Sequence, residues 1–158
     1  MRKLFLTTFA IFTGLLFVNA QEISDNAIGL RIGDDDGFGT EISYQRALGD
    51  NNRLEANLGW RSGDGFDGFK ITGLYQWVWE LDGNFNWYAG AGGGLGSYSF
   101  DNDAIDSDTF FFLAGDIGIE YNFNIPLLLS LDFRPELGFG DFRDDLGFDI
   151  ALGVRYQF

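Results

Sequence analysis

The sequence predicts an all-β chain of eight antiparallel strands in up-and-down order, on three observations. Apolar residues alternate with small or charged ones over stretches of about ten residues, Gly/Asp/Asn turns separate these stretches, and nothing beyond the first twenty residues repeats at helical spacing. The last twelve residues show the alternation most fully. Phe148, Ile150, Leu152, Val154, Tyr156 and Phe158 share one face, and Gly147, Asp149, Ala151, Gly153, Arg155 and Gln157 share the other. Eighteen per cent aromatics, 23 glycines and two prolines in 158 residues also favour strand over helix.

Taken in order, the chain opens with a removable segment. Arg2 and Lys3 precede an apolar run over 4–18, and Val18-Asn19-Ala20 forms a small-residue cleavage site before Gln21. The run is shorter than the roughly 20 apolar residues a spanning helix needs. The expectation is a signal peptide over 1–20 and a single β-barrel domain over 21–158.

The first strand sets Ile28, Leu30 and Ile32 against Gly29, Arg31 and Gly33, and 34–37 breaks it. Phe38, Thr40, Ile42 and Tyr44 lie opposite Glu41, Ser43 and Gln45 in the second, with Arg46 ending the outer row at headgroup level. The third opposes Leu54, Ala56, Leu58 and Trp60 to Arg53, Glu55, Asn57 and Arg61, and 62–68 reads as a loop. In the fourth, Phe69, Ile71, Tyr75, Trp77 and Trp79 face away from Lys70, Thr72, Gln76 and Glu80, with Leu74 and Val78 out of pattern. Asp82-Gly83 marks a tight hairpin.

The fifth strand carries Trp87, Ala89, Ala91 and Leu95 on one side and Tyr88 with Gly90, Gly92, Gly94 and Gly96 on the other. That bare wall leaves room for long side chains from the opposite wall. After a loop over 100–109, the sixth opposes Phe111, Leu113, Ile117, Ile119, Tyr121 and Phe123 to Ala114, Asp116, Gly118 and Glu120, with Phe110 and Phe112 interrupting the polar row. The seventh opposes Leu129, Leu131, Phe133, Leu137 and Phe139 to Ser130, Asp132, Arg134 and Glu136, and Pro135 predicts a local break in its ladder.

Charge separates the ways these faces could be buried. Without the first twenty residues the chain keeps eight Lys/Arg and 24 Asp/Glu, a formal −16, which argues against nucleic acid as a partner. The polar strand face, however, is nearly balanced. It holds Arg31, Arg53, Arg61, Lys70, Arg134 and Arg155 against Glu41, Glu55, Glu80, Asp116, Glu120, Asp132, Glu136 and Asp149. In a sandwich that face points to water and its charges need no partners. In a small membrane barrel it is the interior, where an unpaired charge is costly.

Most of the acidic excess sits in the loops after odd-numbered strands, at Asp34, Asp35, Asp36, Asp64, Asp67, Asp101, Asp103, Asp106, Asp108, Asp141, Asp144 and Asp145, beside Arg143. A solvated acidic rim and divalent bridging to lipopolysaccharide both fit. No EF-hand is expected, because 101–108 lacks its glycine and closing glutamate.

Spans of 9–11 residues suit tilted strands crossing hydrocarbon. With the signal peptide, the interfacial aromatics Trp60, Trp79, Trp87 and Tyr156, and the terminal Tyr156-Gln157-Phe158, the chain resembles the small eight-stranded outer-membrane barrels of the OmpA/OmpX type. Two departures stand beside the resemblance: the loops at 34–37 and 62–68 are hardly longer than the turns, and no peptidoglycan-binding domain is expected after the barrel.

The resemblance implies an eight-stranded antiparallel up-and-down transmembrane β-barrel in the bacterial outer membrane, with both termini periplasmic. It also implies a monomer in contact with outer-membrane lipid and lipopolysaccharide, delivered by the barrel-assembly machinery through Tyr156 and Phe158. The lumen cluster expected is Arg31, Glu41, Glu55, Lys70, Asp116, Glu120, Asp132, Arg134, Glu136 and Arg155, with Glu120 or Glu136 as the partner of Arg134.

Histidine and cysteine are both absent. Enzymes among such barrels use a histidine, so no enzyme, catalytic residue, cofactor or metal is expected. Two alternatives stay open: a secreted soluble barrel carrying a small apolar ligand, and a narrow low-conductance channel.

Overall fold

The computed structural model describes residues 23–33, 39–63, 66–100, 108–139 and 146–158. Eight strands pair in chain order and close on themselves: β1 Asn26–Gly33, β2 Thr40–Ala47, β3 Asn52–Gly63, β4 Phe66–Asp82, β5 Phe85–Phe100, β6 Asp108–Asn122, β7 Leu127–Phe139 and β8 Leu146–Gln157. All pairings are antiparallel, including the β1–β8 seam. The cleavage site and every acidic loop residue except Asp67 and Asp108, which lie in strands, fall outside the described residues.

Register fixes the shape. From Ile28 the pairs run through Tyr44, Ala56, Gly73, Gly93, Leu113 and Leu137 to Leu146, yet across the seam Ile28 pairs with Tyr156. The circuit is therefore offset by ten residues. At about 3.3 Å per residue against eight spacings of about 4.8 Å, the strands tilt by about 40°.

Alternation then sorts side chains by wall. In β8, Asp149, Ala151, Gly153, Arg155 and Gln157 turn inward, while Ile150, Leu152, Val154 and Tyr156 stand exposed outside. The same division holds in the other seven strands, so the outside is apolar and the inside carries the charge.

Several expectations change. In the stretch 62–68, expected as a loop, the described residues are strand: β3 continues to Gly63 and β4 starts at Phe66. Backbone pairing continues there although the outer row turns polar, and the Ser62 hydroxyl donates to Asp67 across the pair at 2.6 Å. Trp79 stacks on its register partner Trp87 with 4.4 Å between centroids, and a register shift follows between Glu80 and Asp82. The hairpin turns through Gly83, whose φ of 55° is open mainly to glycine. At Pro135 the β6–β7 ladder is interrupted between Ala114–Glu136 and Ile117–Phe133 without a register change, as a residue lacking a ladder donor predicts.

The four out-of-pattern residues have a common explanation. Leu74, Val78, Phe110 and Phe112 are buried inside the barrel, and Leu74, Phe110, Phe112 and Ala114 form an apolar cluster with Tyr98 packed against it. The bare β5 wall is therefore filled mainly by neighbouring strands. A Cβ on Gly94 would lie 2.5 Å from the Phe112 ring, and the ring of Phe110 covers Gly96. In the same way the Tyr88 hydroxyl lies 2.5 Å from where Gly118 would carry a Cβ.

Candidate functional site

The lumen is where the chain concentrates its chemistry. Every strand runs polar and apolar positions alternately, and closure brings all eight polar rows to one axis. All ten residues of the expected cluster are buried: Arg31, Glu41, Glu55, Lys70, Asp116, Glu120, Asp132, Arg134, Glu136 and Arg155.

Two hubs organise them. Glu55 on β3 accepts hydrogen bonds from five side chains: Asn57 at 2.9 Å and Arg134 at 3.1 Å on one oxygen, and Gln45 at 2.7 Å, Gln76 at 3.2 Å and Arg155 at 3.2 Å on the other. These donors come from β2, β3, β4, β7 and β8, so one carboxylate ties together five strands. Arg31 on β1 is the converse. It reaches Asp132 at 2.6 Å, Asp149 at 2.5 Å and Glu41 at 3.1 Å, joining β7, β8 and β2.

Further ties cross the lumen. Lys70 meets Glu136 at 2.7 Å, and Arg53 meets Glu120 at 2.8 Å. Arg134 spans both hubs, at 3.1 Å from Glu55 and 3.5 Å from Glu41. Arg155 adds the hydroxyls of Ser43 at 2.9 Å and Ser130 at 2.7 Å. Rings complete the packing around two cations, with Lys70 5.0 Å from the Phe112 centroid and Arg53 4.8 Å from that of Tyr88.

Asp116 belongs to the cluster by position but stands apart in bonding. It accepts from the Gln76 amide at 2.5 Å and makes no salt bridge among the described residues.

Three expectations are corrected. The carboxylate of Arg134 is Glu55, with Glu41 second; Glu120 and Glu136 are taken by Arg53 and Lys70. The ten-residue offset decides this, because it sets which side chains meet at one level. Arg61 is exposed and Glu80 only half-buried, both near strand ends where the interior opens. The buried set is consequently five bases against seven acids. The neutral connectors Ser43, Gln45, Asn57, Gln76 and Ser130 had been placed on polar faces but given no part. Their signal was position alone: each occupies a row that otherwise carries charge.

Chemically, this arrangement can brace and fill but offers little room. Near the termini lies a cavity of about 10 Å³ lined by Gln45, Arg53, Asn86, Glu120 and Gln157, space for a single water. Among the described residues no group of three or more metal-ligating side chains forms. Tyr156 and Phe158, the expected assembly signal, stack at 6.2 Å on the outer face, both more than half exposed.

No protein-family model matches the sequence, and no curated protein matches it. Solved structures do match the fold. The N-terminal β-barrel domain of Pseudomonas aeruginosa OprF aligns with a TM-score of 0.64 at 14% identity, covering 84% of this chain and 95% of that one. Neisserial surface protein A aligns at 0.61 and 17% identity, covering 85% and 94%. Ail, the attachment invasion locus protein of Yersinia pestis, aligns at 0.57 and 17%, covering 85% and 97%. The chain has the OmpA/OmpX-type fold of an eight-stranded outer-membrane barrel.

Proposed function

We propose that this chain is a non-enzymatic integral outer-membrane barrel with a structural or surface-interaction role, its lumen closed by cross-bracing charges. The observation that carries the reading is the inversion of faces. Five bases and seven acids are buried inside, while Ile28, Leu58, Ile71, Leu113, Ile117, Leu131 and Leu152 stand 43–61% exposed around the outside. Water would make such an exterior unfavourable, whereas hydrocarbon makes it the stable one. A soluble barrel carrying an apolar ligand needs the opposite distribution. The structural neighbours are outer-membrane barrels, which supports the same location.

In this reading both termini face the periplasm, the Asp-rich loops face outward toward lipopolysaccharide, Tyr156 and Phe158 present the chain to the barrel-assembly machinery, and the barrel works as a monomer. Cell fractionation with heat-modifiable gel mobility tests the location. Recovery as a soluble periplasmic protein without a heat-dependent shift would reject it. Planar-bilayer recording tests the closed lumen: a large, stable conductance would move the function to a channel.

A further inference from the structure

In an Asp-Gly pair the glycine nitrogen can attack the preceding side-chain carboxyl, because no Cβ on the glycine shields that nitrogen. The sequence has four such pairs, at 36–37, 64–65, Asp67-Gly68 and Asp82-Gly83. The first two lie outside the described residues, and the structure sets the other two apart.

Asp67-Gly68 is locked. Gly68 is buried and pairs with Arg61 on one side and Tyr98 on the other, so its N–H is committed to a ladder. A Cβ on Gly68 would lie 2.8 Å from the Tyr98 ring, and the Asp67 carboxylate accepts the Ser62 hydroxyl at 2.6 Å. Swinging that carboxyl round to the Gly68 nitrogen would break the pairing of β4 with its neighbours.

Asp82-Gly83 is free to move. Gly83 and Asn84 form a two-residue turn between Asp82 and its register partner Phe85. Asp82 and Gly83 are both exposed, and nothing lies within 4 Å of where Gly83 would carry a Cβ. The Gly83 N–H donates to no backbone carbonyl, and the Asp82 carboxyl has neither a hydrogen bond nor an ion pair, among the described residues. Asn84 is tied down, its carbonyl accepting the Asn122 N–H at 2.8 Å, so rotation is confined to the Asp82-Gly83 peptide unit. The register shift between Glu80 and Asp82 marks the same place as the end of regular pairing.

We propose that Asp82-Gly83 is a modification site, at which Asp82 converts spontaneously to isoaspartate. The Gly83 nitrogen bonds to Asp82 Cγ, and its proton leaves with the carboxyl hydroxyl as water. The five-membered imide then takes water back at one of its two carbonyl carbons. Breaking the Cγ–N bond restores aspartate. Breaking the bond between the nitrogen and the Asp82 backbone carbonyl carbon leaves the main chain running through Cγ. The water lost equals the water regained, and no oxidant, reductant or cofactor takes part. The product inserts one methylene into the main chain of a hairpin whose length sets its register, beside the Trp79–Trp87 stack.

The test ages the folded protein in phosphatidylcholine vesicles and the same protein unfolded in urea, side by side at neutral pH. Each is then digested, and isoaspartate at positions 67 and 82 is measured by electron-transfer fragmentation of the peptides. In the folded protein, position 82 should convert several-fold faster than position 67, and in urea the two rates should converge. Asp82→Glu, which would have to close a six-membered ring, should abolish conversion at 82 and leave that at 67 unchanged. Conversion at 67 as fast as at 82 in the folded protein overturns the proposal, and so does an aged folded protein without isoaspartate at 82. An excess at 82 that persists undiminished in urea overturns it too, because the preference would then belong to the flanking residues and not to the turn.

Discussion

Removing the Glu55 carboxylate should leave two buried guanidinium groups, those of Arg134 and Arg155, without the carboxylate they share. Arg134 would keep Glu41 at 3.5 Å, and Arg155 would keep the Ser43 and Ser130 hydroxyls, so neither becomes wholly unpaired. The expected loss for Glu55→Ala is therefore about 3–5 kcal/mol, the cost of breaking one buried pair and not two. Arg134→Ala should fall in the same range. Because the two residues share a bond at 3.1 Å, their double variant should recover about 1–3 kcal/mol relative to the sum.

Glu120→Ala with Arg134→Ala is the control. Glu120 is held by Arg53 and Asn86, so that double variant should add within about 0.5 kcal/mol. Urea titration of folding into lipid vesicles, followed by tryptophan fluorescence, measures the five variants and the unsubstituted protein. Strong coupling in the Glu120 pair with none in the Glu55 pair would refute the pairing and the ten-residue offset behind it.

Leu131→Arg and Leu152→Arg, register partners at mid-band, should each cost about 2–4 kcal/mol in the same titration, whereas Tyr156→Arg should cost about 0–1 kcal/mol in its charge term; equal penalties would contradict the membrane band. Gly118→Ala places a methyl against the Tyr88 ring and should lose about 1–3 kcal/mol, with Tyr88→Phe relieving little of it because the ring carbon remains in the way. N-terminal sequencing of the protein from envelopes should begin at Gln21, and recovery of intact Met1 from the cytosol would exclude secretion.

Period-two alternation made the strands and their inward rows legible, because side-chain direction in a strand depends on local geometry alone. Lumen pairing is a different kind of quantity. It depends on the offset around the closed circuit, which accumulates over eight registers and leaves no mark in any one strand. That is why Arg134 could be placed inside but matched to the wrong carboxylates. Phe110 and Phe112 looked like errors in a polar row for a related reason. Their room comes from Gly94 and Gly96 on the neighbouring strand, a cross-strand fact. The polar tops of β3, β4 and β6 read as loops because backbone pairing needs no apolar alternation to persist.

The seam sets when this barrel can exist. Asn26 and Phe158 exchange backbone hydrogen bonds at 3.1 and 2.9 Å, and the Asn26 amide adds a third contact to the same carbonyl across a separation of 132 residues. The first strand therefore stays unpaired on one side until β8 reaches it. Until then β1 and β8 present open edges, the form most prone to pair with the wrong chain. Loop closure over such a separation is slow compared with forming the seven hairpins. Closing the seam, more than forming any hairpin, is the step that commits this molecule, and a chain without β8 would remain an open sheet.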